Sequence, residues 1–248
     1  MKFKLTIFLL ALLCLNSNLK AQNKINLTQT FDKVIVSPHI ETVFIEGIKP
    51  SIVIENISVP IEKFKYELKK GTLQVYLEGA KTYTKNKKIV TNTYNKKVPL
   101  YKNKVAKIIV TYSNVDTFSL RGEEKITFKS SIKQNDCTLR IYGKSEVTIN
   151  NINVNNLDVS IYGDSYLNIE KGTVKQQKFR AYGASKIMAS DVVSKETKIT
   201  AYGNGTFQFN VSKKIKVSSY GEATVLYTGD AQLKKGIIIG ESNIRKVL

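Results

Sequence analysis

The sequence predicts an all-β fold: a right-handed parallel β-helix, a solenoid with rungs of about 20 residues. Three observations predict it. A glycine recurs at near-constant spacing, at Gly122, Gly143, Gly163, Gly183, Gly203, Gly221 and Gly240. Apolar residues alternate with polar ones on both sides of it. No segment between the glycines is long enough for a helix or carries a helical apolar stripe. The last point excludes leucine-rich and helical solenoids, and a 20-residue period is half of what a propeller blade needs.

Each rung reads as two well-marked strands and a weaker third. Leu139 and Ile141, Val159 and Ile161, Phe179 and Ala181, Ile199 and Ala201, and Val217 and Ser219 lie four and two residues before the glycine. Ile126 and Phe128, Val147 and Ile149, Leu167 and Ile169, Ile187 and Ala189, Phe207 and Phe209, and Val225 and Tyr227 lie four and six residues after it. Period-two alternation marks a strand with one buried face. Ile152 and Val154 are the clearest trace of the third stretch. Stacked coils align like residues at the strand spacing of about 4.8 Å and bury them as continuous apolar columns. The glycines take the corners, where a sharp turn calls for positive φ.

Five of the glycines follow a tyrosine: Tyr142, Tyr162, Tyr182, Tyr202 and Tyr220. In this register the tyrosines point opposite to the inward residues and form one outward ladder. Two readings are open. The ladder is a binding strip for sugars or another flat surface, or its rings pack on one another and steady the coil.

Residues 22–115 lack the period but remain β-rich. Strands are expected over 34–36, 42–45, 51–54, 73–77 and 107–112, with a short helix or a further strand at 60–68. They read as irregular first rungs and a cap over the apolar end, within one domain spanning 22–248. An insertion at 81–107 carries nine lysines and no acid: Lys81, Lys85, Lys87, Lys88, Lys96, Lys97, Lys102, Lys104 and Lys107, with Tyr83, Tyr94 and Tyr101 interleaved. Basic residues among aromatics grip polyanions. A lysine-rich hairpin also keeps sheet edges from aggregating. Both readings stand.

Residues 1–21 read as a signal peptide, with Lys2 and Lys4 before an apolar run at 5–15 and a cleavage point after Ala21. The run is too short to span a bilayer. Leu13 before Cys14 argues against a lipobox, and no later segment is apolar enough to cross a membrane. The expected destination is the periplasm, the outer surface or the medium. Export leaves Cys137 as the lone cysteine, expected as a buried apolar residue. The net charge is +19, or +16 once Lys2, Lys4 and Lys20 are removed. That excess favours acidic partners, an anionic polysaccharide or envelope lipid head groups, and export argues against nucleic acid. A basic surface with no charge-driven partner is the other reading.

The stretches Thr30-Phe31-Asp32-Lys33-Val34-Ile35-Val36, Glu41-Thr42-Val43-Phe44-Ile45 and Leu68-Lys69-Lys70-Gly71-Thr72-Leu73-Gln74-Val75 resemble the putative auto-transporter adhesin, head GIN domain family. The glycine-punctuated repeats that follow are similar to it as well, so the resemblance spans about 28–248. It implies a right-handed β-helix in an exported bacterial protein, and no binding residues carry over from it. The family usually shows small Ser or Gly residues where the five tyrosines stand here. No translocator barrel follows Leu248, which argues against auto-transport by this chain alone.

A β-helix also hosts polysaccharide-cleaving enzymes, which need two converging carboxylates. Glu222 and Glu241 fall on adjacent rungs at the far end, and Asp164 lies away from both. His39 is the only histidine and reads as a turn residue after Pro38. No Cys/His metal spacing, nucleophile motif or phosphate-binding glycine loop occurs. The expectation is a non-enzymatic, adhesin-like binding module without a cofactor. The alternatives are a β-helix polysaccharide-active enzyme and a structural envelope protein.

Overall fold

The computed structural model describes residues 23–90 and 95–247; the expected signal peptide at 1–21 and Tyr94 lie outside them. The described chain is nearly all-β, coiled into a parallel β-solenoid of about 6 turns. One single-turn 3-10 helix, Ile61–Lys63, precedes the strand Phe64–Lys69.

Each regular rung has three faces. The Tyr-Gly face ends at the glycine, a four-residue face such as Glu146–Ile149 follows it, and a third face leads to the next rung. The third stretch is not a separate strand. It runs unbroken into the next Tyr-Gly face, as in Ile132–Gly143 and Ile152–Gly163, which pair in parallel at an offset of 20. The corner shows instead as a slip in alternation. Ile152 and Val154 are buried, Asn155 and Asn156 are both exposed, and burial resumes at Leu157, Val159 and Ile161. Two exposed residues in a row turn the strand without a glycine, which is why the break is hard to see in sequence. The 18-residue rung is accommodated at 189–196, where the pairing register shifts.

The N-terminal part departs from simple succession. Lys33–Val36 lies between Thr72–Leu77 and Thr117–Gly122. Ile40–Glu46 likewise lies between Ala106–Tyr112 and Lys125–Phe128. So the first rung in sequence is the second in space. The chain winds outward to the 72–112 rung, then steps back over the first. Beyond that end rung the partners turn antiparallel: Phe64–Lys69 on Thr72–Leu77, Ser51–Ile57 on Ala106–Tyr112, and Asn23–Asn26 on Ser51–Ile57. This cap ends the parallel ladder and closes the apolar bore.

The bore is filled by Val, Ile, Leu and Phe columns, with Phe44, Tyr112, Phe118 and Phe128 clustered near the cap. Burial pushes the Cys137 thiol up to about 12, so it sits there as an unreactive apolar side chain. One inward column turns polar. Gln177 donates to Ser194 and Thr197 at 3.1 and 2.8 Å, and its Oε1 has no partner among the described residues.

Candidate functional site

Tyr142, Tyr162, Tyr182, Tyr202 and Tyr220 pair in register on successive rungs. Their rings stack with centroids 4.7–5.0 Å apart and planes within 7° of parallel. That spacing is the strand spacing itself, so stacking asks nothing of the backbone. Each inner ring has another ring on both faces, and edges and hydroxyls reach solvent. Tyr162 and Tyr202 are the most open, at 42% and 38% exposed. Arg121 takes the ladder position one rung before Tyr142, with its guanidinium 5.6 Å from that ring's centroid. Exposed Ile239 takes it one rung after Tyr220.

The seven glycines beside this column have φ between +93° and +137°. They also stack: a Cβ on Gly163 would collide with the Gly143 carbonyl oxygen. At some corners a serine two residues on ties the rung to the one before, while Ser185 at the same position has no partner among the described residues. Ser145 Oγ donates to the Gly122 carbonyl at 2.9 Å, and Ser165 Oγ to that of Gly143 at 3.0 Å.

At the head of the ladder, where Arg121 covers Tyr142, lies a cleft of ≈ 870 Å³. Pro38, His39, Tyr83, Arg121, Glu124 and Tyr142 are among its walls. Three loops meet there: the turn at 38–39, the base of the lysine-rich insertion and the first regular corner. His39 adopts φ +73° and joins them. Its Nδ1 donates to the Asn103 carbonyl at 2.6 Å, and its Nε2 meets Thr84 Oγ1 at 2.6 Å. Both ring nitrogens are thereby engaged, and the imidazole bridges the two loops. Glu124, 3.7 Å from His39, is buried. Burial raises its carboxyl above the ordinary glutamate range, opposed by the Glu123 amide and by His39. Of the other charges at the rim, Lys104 pairs with Glu41 at 2.7 Å and Lys125 with Glu146 at 3.4 Å, while Arg121 and Glu123 have no ion-pair partner among the described residues. Sequence reading placed His39 in a turn and missed the cleft. The available signal was Arg121-Gly122, a repeat corner with a cation in the tyrosine position.

The insertion forms its own hairpin, Asn86–Val90 against Asn95–Pro99, joined to no other sheet. Lys88 stands directly opposite Lys97, a repulsive pairing. Three of the nine lysines reach framework acids. Lys81 meets Glu67 at 2.7 Å, Lys104 meets Glu41, and Lys107 meets Glu55 at 3.0 Å. Lys85, Lys87, Lys88, Lys96, Lys97 and Lys102 are exposed. Lys81 and Tyr76 both donate to Glu67 and hold its carboxyl down to about 2.

The carboxylates weighed for catalysis do not assemble with the cleft. Asp164 accepts from the Ala184 amide at 3.1 Å, and Glu222 and Glu241 are exposed on the last rungs. Among the described residues no cluster of three metal-ligating side chains occurs, and no helix is long and apolar enough to cross a membrane.

The fold and its external columns define a class: a capped parallel β-solenoid with a stacked aromatic edge and a lateral cleft. The chain belongs to the putative auto-transporter adhesin, head GIN domain family, whose model matches residues 30–231. A solved structure of a putative adhesin from Bacteroides fragilis is similar at TM-score 0.76 and 16% identity, covering 92% of this chain and 98% of that one. A putative lipid binding protein from Parabacteroides distasonis is similar at TM-score 0.62 and 18% identity, covering 94% and 98%. A putative adhesin from Parabacteroides merdae is similar at 0.63 and 16%, covering 92% and 96%. No curated protein matches the sequence.

Proposed function

We propose that this chain is an exported, non-enzymatic, adhesin-like module that holds a component of a cell surface against its outer wall. The observation that carries the reading is the cleft at the head of the tyrosine ladder. It is large, Lys104 and Glu41 pair with each other on its wall, and Arg121 has no acidic partner among the described residues. Such a pocket suits retention of a polar, hydroxyl-rich group such as a sugar ring, with the guanidinium of Arg121 and the ring of Tyr83 as its contacts. The ladder behind it is a stiffener: its rings spend their faces on each other. The exposed lysines of the hairpin draw the module toward acidic surfaces at a range set by salt. The adhesin names carried by the family and by similar folds support the reading. Lipid head groups are a second reading, because one protein of the same fold is described as a putative lipid binding protein.

The test is a glycan-array and lipid-strip screen of residues 22–248, with an Arg121→Ala/Tyr83→Ala variant alongside. The expected result is a glycan hit that the variant weakens by about tenfold or more. Unchanged binding by the variant overturns the cleft. New reducing ends released from a bound polysaccharide overturn the non-enzymatic reading.

A further inference from the structure

A second repeated corner lies at the opposite edge of the Tyr-Gly face, where the third face bends into it. On three successive rungs this corner reads lysine, two residues, lysine: Lys175 and Lys178, Lys195 and Lys198, Lys213 and Lys216. Lys178, Lys198 and Lys216 are in register, and Lys234 continues the column. Like charges are thus held one strand spacing apart, about 4.8 Å, an arrangement that repels itself. The nearby acids are taken: Asp158 pairs with Arg180 at 2.8 Å and Glu196 with Lys213 at 3.5 Å. Among the described residues, Lys178, Lys198, Lys214 and Lys216 have no acidic partner. These four line a groove of ≈ 400 Å³ that runs across the rungs.

The same corner looks different in the two preceding rungs. Asn155 Nδ2 donates to Asn135 Oδ1 at 2.6 Å, and Asn156 Nδ2 to Asp136 Oδ1 at 2.7 Å. There the corner satisfies itself. In the lysine rungs Lys213 finds Glu196, and Lys178, Lys198, Lys214 and Lys216 are left available to something else.

We propose that this lysine corner is a track for a linear polyanion, an acidic polysaccharide lying along the solenoid axis with its carboxylates or sulfates against the stacked Lys178, Lys198 and Lys216. The geometry favours a chain over a bilayer. The charges are arranged in a line, the site is a groove, and its one apolar lining residue, Leu157, is buried. The proposal rests on the adhesin-like reading and names a partner class for it. Its residues are separate from the cleft, with the lysine and tyrosine columns four residues apart, about 13 Å along the strand.

The experiment measures binding of residues 22–248 to polygalacturonate, to neutral dextran, and to vesicles of phosphatidylcholine with and without phosphatidylglycerol. Three proteins are compared: the unaltered chain, Lys178→Gln/Lys198→Gln/Lys216→Gln, and Lys85→Gln/Lys88→Gln/Lys97→Gln, which removes the same charge from the hairpin. The expected result is salt-sensitive polygalacturonate binding that falls about tenfold or more in the corner variant and by less than about threefold in the hairpin variant. Equal losses in the two variants, or no loss in either, overturn the track. So does corner-dependent binding to anionic vesicles without binding to polygalacturonate. The Arg121→Ala/Tyr83→Ala variant, run in parallel, separates failure of the track from failure of the cleft. Folding does not confound the result, since removing repelling surface lysines leaves the thermal midpoint unchanged or raised.

Discussion

Two corners recur once per rung at opposite edges of one face, and they repeat for different physical reasons. At the Tyr-Gly corner most elements answer one another, although the buried Ser185 hydroxyl has no partner among the described residues. Rings stack on rings, glycine sits on glycine, and the Ser145 and Ser165 hydroxyls bond the carbonyl of the glycine one rung before. At the lysine corner the repeated elements repel one another and the groove between them is open. Repetition alone therefore does not separate scaffold from surface chemistry. What separates them is whether the repeated groups satisfy each other within the solenoid. A stack that is complete in itself stabilises the coil, and one that is incomplete repels itself and stands open to a partner.

The strongest way to break the comparison is at the glycine. Gly163→Ala places a Cβ against the Gly143 carbonyl at φ +116°. It should lower unfolding stability by about 3 kcal/mol or more, read from urea denaturation. A loss within error would show that the Tyr-Gly corner is slack. Next in size is Tyr182→Ala, which removes a ring stacked on two neighbours. About 1–2 kcal/mol should be lost. The same substitution at the terminal ring, Tyr220, should cost roughly half that, since it removes one stack. Smaller still is the pH response of the cleft wall. Burial raises the Glu124 carboxyl, so the folded state takes up a proton more readily than the unfolded one. Its stabilising effect is present at low pH and is lost as pH rises from the ordinary glutamate range through the raised value. Glu124→Gln should flatten that limb and be at least as stable as the parent at neutral pH. A variant less stable at neutral pH, with the limb intact, would mean that Glu124 is held there as a favourable anion.

The regular rungs were legible because two independent signals coincide in them, the glycine spacing and the alternation on either side. Leu139, Ile141, Val147 and Ile149, assigned inward from pattern alone, are all buried. The N-terminal strands were legible one by one: 73–77 lies within Thr72–Leu77, and 107–112 within Ala106–Tyr112. Their order in space was not, because hydropathy marks which face a strand buries and says nothing about which rung it joins. The slip at Asn155-Asn156 was missed for a related reason. Two polar residues in a row read as a turn between strands, although the backbone pairing continues through them. Gln177 defeated the pattern outright, as a polar residue in an inward column whose partners, Ser194 and Thr197, come from the next rung. The cleft joins residues 39, 84, 103 and 124, which no local motif connects. The lysine corner, by contrast, stood in the sequence as Lys-x-x-Lys at 175, 195 and 213. The aromatic marker drew attention to the other edge of the face.

The most direct measurement of the central claim sets two variants against two readouts. Tyr182→Ala and Lys178→Gln/Lys198→Gln/Lys216→Gln are each assayed for thermal midpoint and for polygalacturonate binding. The account predicts opposite outcomes: the tyrosine variant unfolds several degrees earlier and binds as the parent does, while the lysine variant unfolds no earlier and loses binding. If both variants lose stability together, or if the tyrosine variant alone loses binding, the division between a self-satisfied corner and an open one is wrong.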